Sequence, residues 1–229
     1  MKITIFFILL SLIALRLGIY FTVKQRNISP KEFVDKIDSL GYFKYAEVKY
    51  KDSLKMNFIN NFDPDNELVT LWDEQTYTPL DYRYYMCDGE TVYEEGGITE
   101  MLEDMKPTFE KIGFKLSIDD HIEEWDSENQ WLNHRITLNG TEYTIFKNFR
   151  GYGWGEAVQR LAEILNDELE KQQIDENIYL VNGANDGRLV FLSEKLYQYI
   201  YSIYHNPQWK PLEVSEWAKV MKVKSMNLD

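Results

Sequence analysis

The chain has 229 residues, 44% hydrophobic and 28% charged, which excludes a disordered, charge-rich chain and leaves room for a substantial core. Its formal net charge is −13. Lys2, Arg16, Lys24 and Arg26 stand without an acid in the first 26 residues, leaving 21 bases against 38 acids, a net of −17, in the remainder. A body that acidic repels phosphate backbones, which argues against nucleic acid and for a cationic partner. Cys87 is the only cysteine, so a scaffold stapled by internal disulfides is excluded.

Residues 3–23 are apolar apart from Thr4, Ser11, Arg16 and Thr22. The run is close to the ~20 residues that a membrane span needs, and no small-x-small cleavage signal closes it. We read residues 1–26 as an uncleaved signal-anchor. The flanking bases pull both ways under the positive-inside rule, and the expectation adopted is a single-pass protein with its domain on the extracytoplasmic side.

A helix is expected from Ser29, an N-cap followed by Pro30 and by Glu32 at capping-box spacing. Phe33, Val34, Ile37 and Leu40 form its apolar face, and Gly41 ends it. A second helix is expected over residues 52–61, then a turn over residues 63–66. Strands are expected over residues 82–86 and 91–93, joined through Asp88-Gly89 as a hairpin. Ile98, Met101, Leu102, Met105, Phe109 and Ile112 recur at helical spacing, in a helix that Pro107 kinks or splits. Residues 114–118 alternate as a strand.

Asn139-Gly140 marks a hairpin between strands over residues 131–138 and 141–147. After the corner Gly151-Tyr152-Gly153-Trp154-Gly155, a helix is expected with Val158, Leu161, Ala162, Ile164, Leu165 and Leu169 inward. Strands over residues 178–181 and 188–192 and a helix from Ser193 through Tyr204 follow. The architecture is therefore α+β, with antiparallel hairpins plus helices. The order hairpin, glycine break, helix, strand occurs twice, over residues 82–118 and 131–181, which allows a duplicated ββαβ unit. The domain reading is one globular unit over residues 27–205, with halves 27–118 and 119–205, and a C-terminal strap over residues 206–229.

The search for chemistry returns little. The corner spaces its glycines as G-x-G-x-G, which fits neither a dinucleotide fingerprint nor a P-loop. Cys87 lacks a base nearby in sequence, and no serine has a nucleophile-elbow context. His121, Glu124 and His134 supply ligand types for zinc or iron, but no second histidine stands at helical spacing, and convergence cannot be read from spacing. These patterns call for no catalytic residues, no cofactor and no metal.

One acidic cluster stands out. Asp119, Asp120, Glu123, Glu124, Asp126 and Glu128 surround Trp125, an aromatic anchor in an acidic rim in an otherwise solvated loop. The preferred functional expectation is a membrane-anchored binding protein for a basic protein partner, of which an inhibitor or immunity-type role is one form. The alternatives are an envelope glycan- or peptide-binding module that stacks ligands on Tyr152 and Trp154, and an enzyme with an unrecognised site.

Overall fold

The computed structural model describes residues 28–224 and Met226. The expected anchor over residues 3–23 lies outside the described residues, among which no helix is long and apolar enough to cross a membrane. The architecture is α+β, with two small antiparallel sheets and eight α-helices among the described residues.

The first helix, α1 (Pro30–Ser39), starts as its sequence dictates. Ser29 and Glu32 close a capping box, with Ser29 N donating to Glu32 Oε2 at 2.9 Å. After α2 (Val48–Asn60) and an irregular stretch comes the short strand β1 (Tyr84–Met86). It joins β6 (Arg188–Leu192) and β5 (Asn177–Val181) in the order β1-β6-β5. Both faces of this sheet are buried, so its strands read as unbroken apolar runs rather than alternating ones. Tyr84, Tyr179, Val181, Val190 and Leu192 face α1, α2 and α7 (Glu194–Ile203). Tyr85, Ile178, Leu180, Leu189 and Phe191 face a second core built on α6 (Trp154–Lys171).

The second sheet has the order β2-β3-β4, with β2 (Ile118–Asp126), β3 (Trp131–Leu138) and β4 (Thr141–Phe149). Ile136, Leu138, Ile145 and Phe146 seat it in the core that holds α6. The Asn139-Gly140 turn forms as expected, with φ +49° and +78°, the left-handed pair that a two-residue hairpin requires.

The first expected hairpin does not form. Residues Gly89–Tyr93 are a helical turn, α3, and the expected strand over residues 91–93 lies inside it. Asp88 is its N-cap, accepting from Glu90 N at 2.8 Å and Thr91 N at 3.2 Å. Gly89 keeps a negative φ, and a Cβ there would meet Trp154 O at 3.1 Å. Asp-Gly serves here as a cap and a close approach to α6, not as a hairpin turn. The first half therefore lacks the paired strands of a ββαβ unit, and the duplication is not present in that form.

Two further expectations change. The apolar run splits into α4 (Gly97–Asp104) and α5 (Lys106–Ile112) ahead of Pro107, as foreseen, but residues 114–117 make no ladder. Two of their backbone N–H groups go to side chains instead, Lys115 N to Gln172 Oε1 at 2.9 Å and Ser117 N to Asn139 Oδ1 at 2.9 Å. The strand begins at Ile118 and runs through the acidic cluster that was expected to be a loop. In the C-terminal segment Leu212 pairs with Leu180 across two backbone bonds of 2.9 and 3.0 Å, and α8 (Val214–Met221) brings Trp217 into the core.

Candidate functional site

Strand alternation sends the acidic cluster two ways. On β2, His121, Glu123 and Trp125 share one face, and Ile122, Glu124 and Asp126 share the other. Asp119 holds the adjoining hairpin, accepting from Ser117 Oγ at 2.7 Å and Gly140 N at 2.6 Å, bonds that keep its carboxyl below the usual range. Asp126 closes the β2–β3 turn, accepting from Asn129 Nδ2 and N, Glu128 N and Trp131 Nε1 at 2.9–3.0 Å. Its carboxyl is held low by the Asn129 side chain first. Asp120, Glu124, Trp125 and Glu128 remain exposed. The seven residues are neighbours in sequence but do not form one continuous rim.

Glu123 has a different setting. The β2–β3 register places it directly opposite His134, with His121 opposite Ile136 one pleat away. The two Nε2 atoms stand 2.8 Å apart, and Glu123 Oε1 lies 3.2 Å from His121 Nε2 and 3.1 Å from His134 Nε2. Gly96 N donates to Glu123 Oε2 at 3.1 Å and fixes the carboxylate from the α3–α4 connection. Burial, and then the neighbouring His121, push His134 down to about 3, so this ring is neutral at physiological pH. The His121, Glu123 and His134 donors converge as a metal site requires. Helical spacing concealed them, because the residues sit on strands and meet by cross-strand pairing.

Tyr152 and Trp154 flank a cleft of about 560 Å³ beside Gly183 and Met221. Tyr152 is 87% exposed, and the two rings are inclined at 68°, with centroids 6.3 Å apart. That is an edge arrangement rather than the shared platform on which a sugar stacks. Cys87 is fully buried, and burial followed by Asp88 pushes its thiol up to about 12, the setting of an inert structural cysteine.

Sequence reasoning missed a cleft of about 480 Å³ between α6, β5, α7 and α8. Glu163, Asp167, Glu170, Glu194 and Glu213 line it, with Tyr179 in its wall, and no Lys, Arg or His is part of the lining. Glu163 is paired with Arg160, and Asp167 with Lys171 at 2.8 Å. Among the described residues no basic side chain engages Glu170, Glu194 or Glu213, although Glu194 accepts from Tyr179 Oη at 3.2 Å. Tyr179 stacks on Tyr197 at 3.9 Å and 11°. Burial and then the charge of Glu194 push the Tyr179 phenol well up, so the ring stays neutral. These carboxylates come from α6, the start of α7 and the N-cap of α8, three places far apart in sequence, and no local pattern could have grouped them.

No family model, curated protein or solved structure matches this chain.

Proposed function

We propose that this chain is a membrane-tethered binding protein, anchored through residues 3–23, whose acidic extracytoplasmic body recognises a cationic segment of another protein. The observation that carries the reading is the cleft lined by Glu163, Asp167, Glu170, Glu194 and Glu213 without a basic residue. Among the described residues three of those carboxylates have no ion-pair partner, so a lysine or arginine entering the cleft would meet uncompensated charge at short range. Tyr179 is buried against Tyr197 and holds the Glu194 carboxylate in the cleft wall through its hydroxyl at 3.2 Å. An inhibitor or immunity-type role is the biological form that suits such a surface, and the exposed Glu124 of β2 and Glu128 of the β2–β3 turn add to the acidity of the body as a whole.

The test uses the full-length protein and an oligo-lysine peptide as probe, followed by fluorescence anisotropy at low and high salt. Saturable binding that weakens with salt and is lost in the Glu170→Lys/Glu213→Lys double variant is the expected result. Both positions are exposed, so the substitutions should leave stability almost unchanged. Binding that persists in the double variant refutes the cleft as the recognition surface. An uncharged glycan retained in place of cationic peptide shifts the assignment to the Tyr152–Trp154 corner.

A further inference from the structure

Among the described residues, His121, Glu123 and His134 are the group of histidines and carboxylates whose potential ligand atoms converge closely enough to share one metal ion. Nε2 of His121, Nε2 of His134 and Oε1 of Glu123 form a triangle with edges of 2.8, 3.1 and 3.2 Å. Hydrogen bonding cannot satisfy that triangle well. Two nitrogens 2.8 Å apart have room for one proton between them, so the accepting Nε2 carries no proton and its lone pair faces the lone pairs of Glu123 Oε1. A divalent cation at the centre resolves the conflict. Donors about 2.0–2.1 Å from a tetrahedral zinc stand roughly 3.3–3.4 Å apart, so the two edges to Glu123 need to open only slightly and the 2.8 Å edge between the histidines by about half an ångström.

We propose that His121, Glu123 and His134 bind one divalent transition-metal ion, zinc or a close relative, with a fourth position open to water. Two imidazoles and one carboxylate suit borderline cations, whereas calcium and magnesium prefer sets made of oxygen alone. Exposure falls across the group, with the side chains of His121 at 22%, Glu123 at 13% and His134 at 4%. His134 forms the buried floor, and the fourth position lies toward solvent on the His121 side. Gly96 N donates to the far carboxylate oxygen, Oε2, at 3.1 Å and more weakly to Oε1 at 3.4 Å, an outer hydrogen bond of the kind that fixes a metal-binding carboxylate in orientation. The ion would tie β2 to β3 and, through Glu123, to the start of α4.

The experiment titrates chelator-stripped full-length protein with Co²⁺ by visible absorption and with Zn²⁺ by calorimetry. The expected result is uptake of one equivalent of Co²⁺, with the intense visible bands of a low-coordinate ion. Zn²⁺ bleaches those bands, and excess Mg²⁺ or Ca²⁺ does not. His121→Ala and Glu123→Gln should each weaken Zn²⁺ binding by at least about tenfold, the lower end of what losing even an outer partner costs. His205→Ala, which alters the distant His205–Asp65 contact of 3.2 Å, should change nothing. Histidine NMR of the wild type gives a second readout that needs no variant: Zn²⁺ should move the ring signals of His121 and His134 and leave those of His205 in place. The proposal is overturned if the wild type takes up no stoichiometric metal. It is equally overturned if folded His121→Ala and Glu123→Gln retain wild-type affinity, or if the His205 signals move in place of the other two.

Discussion

Replacing Glu176 by Gln should destabilise the fold more than any other charge-neutralising change of similar size. Arg83 is fully buried, and its guanidinium spends its hydrogens on four groups. Nε donates to Tyr42 O at 2.6 Å, and Nη1 to Phe191 O at 2.7 Å and Glu176 Oε2 at 2.8 Å. Nη2 reaches Gly41 O at 3.1 Å and Glu176 Oε1 at 3.4 Å. Among the described residues Glu176 is the salt-bridge partner of the Arg83 guanidinium, and its side chain is 1% exposed. Lys44 also reaches Glu176, at 2.8 Å, but is 45% exposed and adds little.

Removing one member of such a pair costs about 3–5 kcal/mol, because the other charge stays buried without compensation. Gln keeps one acceptor, so the lower end applies. For a chain of this size ~1 kcal/mol moves Tm by roughly 2–4 °C, giving a fall of about 6–12 °C. Thermal and urea unfolding of the full-length protein at neutral pH measure it. The pH dependence supplies a second check. Burial pushes the Glu176 carboxyl up, but the charge and hydrogen bonds of Arg83, with Lys44, outweigh it and hold the group below the usual carboxylate range. A carboxyl so depressed stabilises the fold at pH values above its unfolded pKa, and that contribution disappears as pH falls through the folded value. The gap between wild type and Glu176→Gln should therefore be full at pH 7 and close in acid. A Tm within about 2 °C of wild type at pH 7, or a gap unchanged on acidification, would refute the reasoning.

Two further outcomes follow from burial. Trp217→Ala should cost about 3–5 kcal/mol, since the indole is 1% exposed and donates its Nε1 proton to Asn182 O; chemical denaturation reading less than about 1 kcal/mol would show that the C-terminal segment is energetically peripheral. Cys87 should resist thiol reagents in the native state and react only at the rate of unfolding, because the thiol is buried and pushed up to about 12. Immediate stoichiometric labelling without denaturant would contradict that placement.

The sequence was legible wherever local chemistry decides. The Ser29–Glu32 capping box, the Asn139-Gly140 turn and the apolar stripe of α6 each appear where expected. It misled where a distant element overrides local preference, as at Asp88-Gly89, whose turn signal is spent on capping α3 against the start of α6. Strand β2 was missed because its acids hide the alternation: His121, Glu123 and Trp125 do not look like an inward face. Yet the histidine group was within reach once Asp126 to Gln130 is recognised as a turn. Three steps back from Asp126 and three on from Trp131 meet at Glu123 and His134. The acidic cleft offered no such route, since Glu163, Glu194 and Glu213 are brought together only by the packing of three helices and a strand.

The pairing of Leu212 with Leu180 has a consequence for how copies of this chain meet one another. Strand β5 ends the β1-β6-β5 sheet, and its residues are almost wholly apolar. The backbone bonds from Leu180 to Leu212, with Asn182 N donating to Gln208 O at 2.9 Å, occupy that margin with the chain's own C-terminal segment. An open margin of that composition is a template for adding strands from other molecules. Residues 206–217 thus act as a built-in guard against self-association, and a chain cut short of them would present an apolar, unpaired strand to its neighbours.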